Sequence, residues 1–292
     1  MIAGAIGHAT ERFATDKYWV YRRIFDGLRI VAIILALIIF LFPFYWVIKT
    51  SFEPTRLIYD ATVLIPRGFT IAHYIEVVNV GFLGAVWNSL VVAIGATILT
   101  IVASLLGAYS ILRYEYRGRG QTAKLVLLTY MFPHIALIVP VFFVVSQIGL
   151  LSHPLPLIFI HSMLALPFCI WILQAFLMEV PRELEEAARI EGATAIGAFL
   201  RITVPLSWPG IVAAGTFAFI MSWGEYMFAF ILMRSRGAHT VPVAIHALLG
   251  SYAIDWGLLA ATSVVATLPV LAIFWLMAKY LGRGIAKGTG LT

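Results

Sequence analysis

Charges in this chain are gathered into short clusters separated by long uncharged stretches. The nineteen residues between Arg29 and Lys49, IVAIILALIIFLFPFYWVI, carry none. Val77 to Leu112 is uncharged throughout, and so are the 54 residues from Leu125 to Met178. A helix rises about 1.5 Å per residue, so about 20 apolar residues cross a hydrocarbon core of about 30 Å. The first stretch is therefore one span, and the second supplies another from about Val86. The third is too long for one helix, and GLLSHPLP (149–156) divides it into spans near 125–147 and 157–178. Leu206 to Met233 gives a fifth span and Leu258 to Leu281 a sixth. In lipid, backbone groups must bond within their own segment, and these runs are too long and uniform for barrel strands. The expected fold class is an all-α integral membrane protein with six transmembrane helices.

Composition agrees. The 292 residues are 62% hydrophobic and 12% charged, with mean hydropathy +0.97. Soluble domains carry about 25% charged residues, so lipid must be the solvent for much of this surface. The net charge of +6 is spread over the loops and is not a nucleic-acid footprint. The single cysteine, Cys169, excludes an internal disulfide. Residues 1–26 mix both signs of charge and do not read as a cleaved signal. Within them KYWVYRRIF (17–25) suits an interfacial helix, and equally an ordinary start to the first span.

Basic residues give the orientation. Fifteen of the 20 Lys and Arg fall on the side that holds the N-terminal segment, the loops after spans two and four, and the C-terminus. Only Lys49, Arg56, Arg67, Arg234 and Arg236 fall on the other. The positive-inside rule makes both termini cytoplasmic. The domain division is a cytoplasmic segment 1–26, a transmembrane domain 27–283 and a cytoplasmic tail 284–292.

One cytoplasmic loop, PRELEEAARIEGATAIGAFLRITVP (181–205), breaks the apolar pattern with a run of charge. Pro181 suits a helix start, and Glu183, Glu185 and Glu186 suit its positive end. Glu185 and Arg189 are spaced i,i+4, as an ion pair would be. Leu184, Ala187 and Ala188 share a smooth face. Gly192 ends this helix, and Thr194 caps a second one, running through Phe199 and Ile202 until Pro205 stops it. Two short helices at an angle result. A connector lying passively on the membrane fits the same pattern.

The spacing Glu186-Ala187-Ala188, Gly192, Ile202, Val204-Pro205 resembles the EAA signature of bacterial ABC importer permeases, E-A-A-x3-G-x9-I-x-L-P, with Val204 for leucine. The longer string VPRELEEAARIEGAT resembles the carbohydrate-importer branch, where Asp is usual at the position of Glu191. WNSL (87–90), FPHIALIVPVF (132–142), SWGEYMFAFIL (222–232) and TVPVAI (240–245) are similar to the smaller permease of maltose-type importers. The resemblance covers about residues 20–285. It departs at Gly224, where the family often has Asn, and in the tail, GIAKGTGLT (284–292) rather than the GLTAGAVKG type.

What the resemblance implies is a transmembrane half of an importer in a bacterial cytoplasmic (inner) membrane. A second homologous permease would complete it, two ATPase subunits would dock on the EAA loops, and an external binding protein would deliver a sugar-type substrate. ATP and Mg would be bound by the ATPases and no cofactor by this chain. Glu186 would meet an arginine of the ATPase, Ala187, Ala188 and Gly192 would give the close fit, and Ile202 and Pro205 complete the motif. The chain has no G-x-x-x-x-G-K-[ST] loop, since GRGIAKGT (282–289) has Gly and Lys in the wrong order. It reads as non-catalytic.

Other polar residues are candidates by position. Glu225 is an ionisable group inside span five and suits a translocation cavity, or an interfacial pairing near the span's outer end. Asn88 and His134 are the other cavity candidates; Asn88, beside Ser89, also suits helix capping. Pro133 and Pro140 are expected to kink span three. His134 and His161 are too far apart in sequence, and too lacking in companions, to suggest a metal. In the outer loop RSRGAHTVPVAIHALLGSYAIDWG (234–257), Tyr252, Asp255 and Trp256 are candidate contacts for the binding protein, or the two aromatics belong to the interfacial belt. A stand-alone channel or secondary transporter would need intramembrane charges or half-helices around a midplane site, with corresponding breaks in two halves; only Glu225 interrupts the spans with charge, and no paired breaks are visible. A membrane enzyme would need a clustered His, Asp or Ser–His constellation, and none is visible either.

Overall fold

The structure, a computed structural model, describes the backbone of residues 2–59, 64–250 and 254–288, and side chains within 25–277 except Ala123 and Leu127. Regular structure in these residues is entirely helical. α1 (Ile2–Ser51) runs without interruption from the N-terminal segment through the first span. Every side chain from Phe25 to Tyr45 is exposed. An apolar surface of that length fits contact with lipid. α2 (Thr55–Ile58) and α3 (Ala72–Asn79) follow in the loop, and α4 (Phe82–Arg113) is the second span. α5 (Arg119–Tyr130) and α6 (Ile138–Gln147) divide the third, and α7 (Pro154–Met178) is the fourth. The charged loop holds α8 (Arg182–Ile190), α9 (Ala195–Ala198), a π turn at Phe199–Thr203 and α10 (Val204–Leu206). α11 (Trp208–Gly224) and α12 (Met227–Leu232) form the fifth span, α13 (Val241–Leu249) lies in the next loop, and α14 (Trp256–Gly288) is the sixth.

Among the described residues four helical segments, Phe25–Ser51, Phe82–Arg113, Pro154–Met178 and Trp256–Met277, are each long and apolar enough to cross a membrane, and the number reaches six if each of two bent pairs counts as one span. The bent pairs bear on the kink expected in span three and add a bend before span five. Arg119–Tyr130 and His134–Gln147 meet at 86°. Pro133 explains this bend: it is extended at ψ 109°, and it disfavours helical backbone in the residue before it. Pro140 is not a second kink, because it falls in the first turn of α6, where a missing N–H has little to lose. Ala195–Leu206 and Trp208–Gly224 meet at 76°, so the chain turns at Ser207 and the straight part of the fifth span begins at Trp208. Pro205 does not stop the preceding helix. It follows directly on the π turn and lies within α10. A further break comes at Glu225, whose backbone is extended at ψ 127°.

The core forms where small residues let helices approach. Leu105 and Ala108 of α4, Ala165, Cys169 and Leu173 of α7, and Ala214 and Ala218 of α11 make one buried cluster. At Gly95 of α4 an added Cβ would stand 2.8 Å from Ile158 Cδ1, so glycine sets the α4–α7 separation. A second cluster joins Val77, Phe82, Ala93, Phe219, Trp223, Val241 and Leu258. Loops collect at two ends. Arg182 Nη2 donates to Leu112 O at 2.6 Å, tying the charged loop to the end of α4. At the opposite end Tyr59 OH donates to Ile254 O at 2.8 Å, and Ser152 N donates to Leu232 O at 2.9 Å.

Candidate coupling and translocation sites

The charged loop folds as a hairpin of two short helices. Glu183 and Glu185 lie in the first turn of α8 and Arg189 in its last, each favoured by the helix dipole there. Gly192 adopts φ 96°, the left-handed conformation that a Cβ resists. Its N–H donates to Arg189 O at 3.1 Å, while Ala193 N donates to Ala188 O at 2.9 Å. This pair of bonds is the Schellman termination, which satisfies carbonyls that the helix end would leave bare. Thr194 Oγ1 then accepts from Gly197 N at 3.0 Å and caps α9.

The two adjacent glutamates of α8 face opposite ways. Glu185 is buried, and its carboxylate accepts from Tyr109 OH at 2.7 Å, Arg113 Nε at 2.9 Å and Thr203 Oγ1 at 2.8 Å. The expected Glu185–Arg189 pair is therefore absent: the carboxylate points inward to Arg113, and Arg189 is exposed. Glu186 is exposed and has no ion pair or side-chain hydrogen bond among the described residues. It lines an open groove of about 490 Å³ with Arg189, Ile190, Ala193, Thr194 and Ala195. Ile190 is 88% exposed and Ile196 71%. Both isoleucines thus stand bare on the hairpin's exposed surface. Ala187 is exposed on this hairpin, Ala188 and Ile202 are half-buried, and Pro205 is exposed.

The three cavity candidates do not meet. Asn88 Nδ2 donates to Gly237 O at 2.8 Å and to His239 O at 3.1 Å, clamping the outer loop onto α4. Ser89 Oγ beside it accepts from Val241 N at 2.8 Å. His239 is shifted below the usual imidazole range by burial and by the nearby Arg236. His134 lines an apolar groove of about 520 Å³ with Leu125, Tyr130, Met163, Leu164 and Phe228. Glu225 lies in the break of the fifth span. Its Oε1 accepts from Phe228 N at 2.9 Å, and its Oε2 accepts from Ala229 N at 3.1 Å and from His161 Nε2 at 3.1 Å. With Nε2 donating, His161 Nδ1 accepts from Ser222 Oγ at 2.7 Å.

Ser222, His161 and Glu225 thus form the Ser–His–acid constellation that the sequence did not reveal. His161 and Ser222 are buried, and the carboxylate is occupied in capping α12. The arrangement stitches α7 to the broken span. No cluster of His, Cys, Asp or Glu suited to a metal occurs among the described residues.

At the outer loop, Asp255 accepts from Gly257 N at 2.9 Å and Leu258 N at 3.0 Å, so it caps α14, and its carboxylate lies 3.9 Å from His73 Nδ1. Trp256 begins α14, half exposed, and borders a groove of about 240 Å³ with Trp46, Tyr59 and the buried Lys49–Glu53 pair. Tyr252 lies outside the described residues, as do 289–292 of the tail. Sequence reasoning missed Tyr109, Arg113, Thr203, His161 and Ser222. Arg113 registered only as a basic loop residue, and His161 only as an isolated histidine.

A bundle of apolar helices with interrupted third and fifth spans, carrying an outward-facing helical hairpin at one end, defines a multi-pass membrane protein of the transporter type. Residues 101–287 match the family described as binding-protein-dependent transport system inner membrane component. The inner membrane ABC transporter permease protein YcjP of Escherichia coli K12 is 32% identical over 87% of this chain and 92% of its own length. The trehalose/maltose transport system permease protein MalG of Thermococcus litoralis is 34% identical over 89% of this chain and 95% of its own. A bacterial ABC transporter involved in import of the acidic polysaccharide alginate shares the fold, with TM-score 0.77 at 20% identity over 88% of this chain and 96% of that one. The chain belongs to the binding-protein-dependent transport system inner membrane component family and is an ABC transporter permease, a transmembrane and non-catalytic component.

Proposed function

We propose that the chain is one transmembrane half of an importer for a sugar or sugar derivative, driven by ATPase subunits that dock on residues 181–205. The observation that carries this reading is the unpartnered face of the hairpin: Glu186 without an ion pair, Ile190 and Ile196 bare, and Gly192 fixing the angle between two helices. Trehalose and maltose in the name of a relative support the sugar class. The excess of basic residues at the hairpin end supports a cytoplasmic placement for it and for both termini. An external binding protein then meets the opposite end, near Asp255, Trp256 and Tyr252, and a second homologous permease completes the pathway. ATP and Mg belong to the ATPases. Of the path candidates His134 borders a groove, while Glu225 is engaged in holding the broken span.

Two substitutions test the docking role. Gly192→Val forces a β-branched residue to φ 96° and should misdirect α9, at a cost of about 1–2 kcal/mol or more. Glu186→Lys reverses the free charge on the docking face and should repel a basic partner by about 1 kcal/mol or more. Both variants should insert into the membrane normally but lose uptake and the co-purifying ATPase. Normal co-purification and uptake in both would return the hairpin to a passive connector.

A further inference from the structure

Of the hairpin's four glutamates only Glu185 is buried. Arg113, which donates to Glu185 Oε1 through Nε, also donates through Nη2 to Val180 O at 2.7 Å. A single carboxylate thereby joins the end of α4, the segment after α7, the docking helix α8 and the π turn leading into α11. Charge-assisted bonds in a buried network are short, strong and mutually reinforcing, so this junction moves as one body. At its other end α4 holds the outer loop through Asn88 and Ser89. Both clamps lie on one continuous helix of 32 residues with no internal proline.

We infer that Glu185 is the positioning residue through which movement of the hairpin reaches α4, and that α4 carries it to the outer loop at residues 237–241. Glu186 faces the partner and Glu185 faces the spans. This rests on the reading of the hairpin as the ATPase-docking element. A docking helix joined to the spans by loops alone would rock without moving them.

The test uses the assembled importer, purified with its partners through a tag on this chain and reconstituted in vesicles. A reporter Gly84→Cys near the outer end of α4 has nothing within 4 Å of its Cβ, and the native Cys169 is buried. The rate of labelling by a membrane-impermeant maleimide is measured with and without ATP plus vanadate. The nucleotide should change that rate in the reporter chain. Adding Glu185→Gln should shrink the change about tenfold, the scale set by losing one charge-assisted hydrogen bond. ATPase should still co-purify in unchanged ratio and hydrolyse ATP at its basal rate. Tyr109→Phe and Thr203→Val each remove one donor and should give intermediate losses. A full nucleotide response in Glu185→Gln overturns the inference. So does loss of the ATPase in Glu185→Gln, Tyr109→Phe and Thr203→Val alike, which would make the carboxylate a folding element. If the reporter chain alone binds no ATPase, the importer reading itself falls, and the inference with it.

Discussion

Glu225→Gln is a sharp perturbation because it keeps the side chain's shape and removes one acceptor. The carboxylate receives three donors, from Phe228 N, Ala229 N and His161 Nε2, at 2.9, 3.1 and 3.1 Å. A glutamine offers one oxygen and one NH₂ group. With its oxygen toward Phe228, the amide nitrogen faces the N–H of Ala229 and the ring N–H of His161. Flipped, it faces the N–H of Phe228 instead. Either way a buried donor loses its acceptor, at about 1–3 kcal/mol, and the charge-assisted bond to His161 is weakened as well. The sum is about 2–4 kcal/mol, or a fall in apparent melting temperature of about 4–16 °C at about 2–4 °C per kcal/mol. Thermal unfolding of the detergent-purified protein measures it. His161→Ala in the same background should cost less than in the unsubstituted chain, since the two residues share one interaction. A melting temperature unchanged in Glu225→Gln, or strictly additive losses in the double variant, would refute the idea that this cluster holds the broken span together.

Packing gives a second test. A Cβ added at Gly210 would stand 2.5 to 2.7 Å from the Cγ, Cβ and Cδ2 atoms of Phe176, too near the stem of the ring for it to swing away. Gly210→Ala should therefore cost about 1–3 kcal/mol by overpacking, whereas Gly224→Ala, with nothing within 4 Å, should not; equal melting temperatures would contradict the α7–α11 contact. Orientation is tested by cysteine labelling in sealed, right-side-out cells: Arg236→Cys should react with an impermeant reagent and Arg117→Cys should not. The opposite result would invert the topology.

Much of this was legible because it is local. Span lengths follow from runs of apolar residues, since a helix in lipid needs only enough rise to cross the bilayer. The turn at Gly192 was readable because the Schellman bonds link residues five apart or fewer, and the cap at Thr194 because its partner is Gly197. Pro133 announced a disruption, although its size, 86°, depends on how α5 and α6 pack. The break at Glu225 was hidden. A glutamate inside an apolar run looks like a lone buried charge until the N–H groups of Phe228 and Ala229 turn to meet it.

Sequence by itself determined that the chain lives in lipid, that its loops alternate between two faces, and that one loop is a glycine-turned helical hairpin. Only the tertiary structure decided what its polar groups do. Glu185 and Glu186 are neighbours in one helix and chemically identical, so nothing local distinguishes them. The difference comes from Tyr109 and Arg113, which lie 76 and 72 residues before Glu185 in the chain. His161 likewise acquires its role from Ser222 and Glu225, 61 and 64 residues later. A buried carboxylate or imidazole must find its hydrogen-bond partners wherever packing brings them. Local periodicity sets the helices, but which partners those are depends on which helices lie side by side.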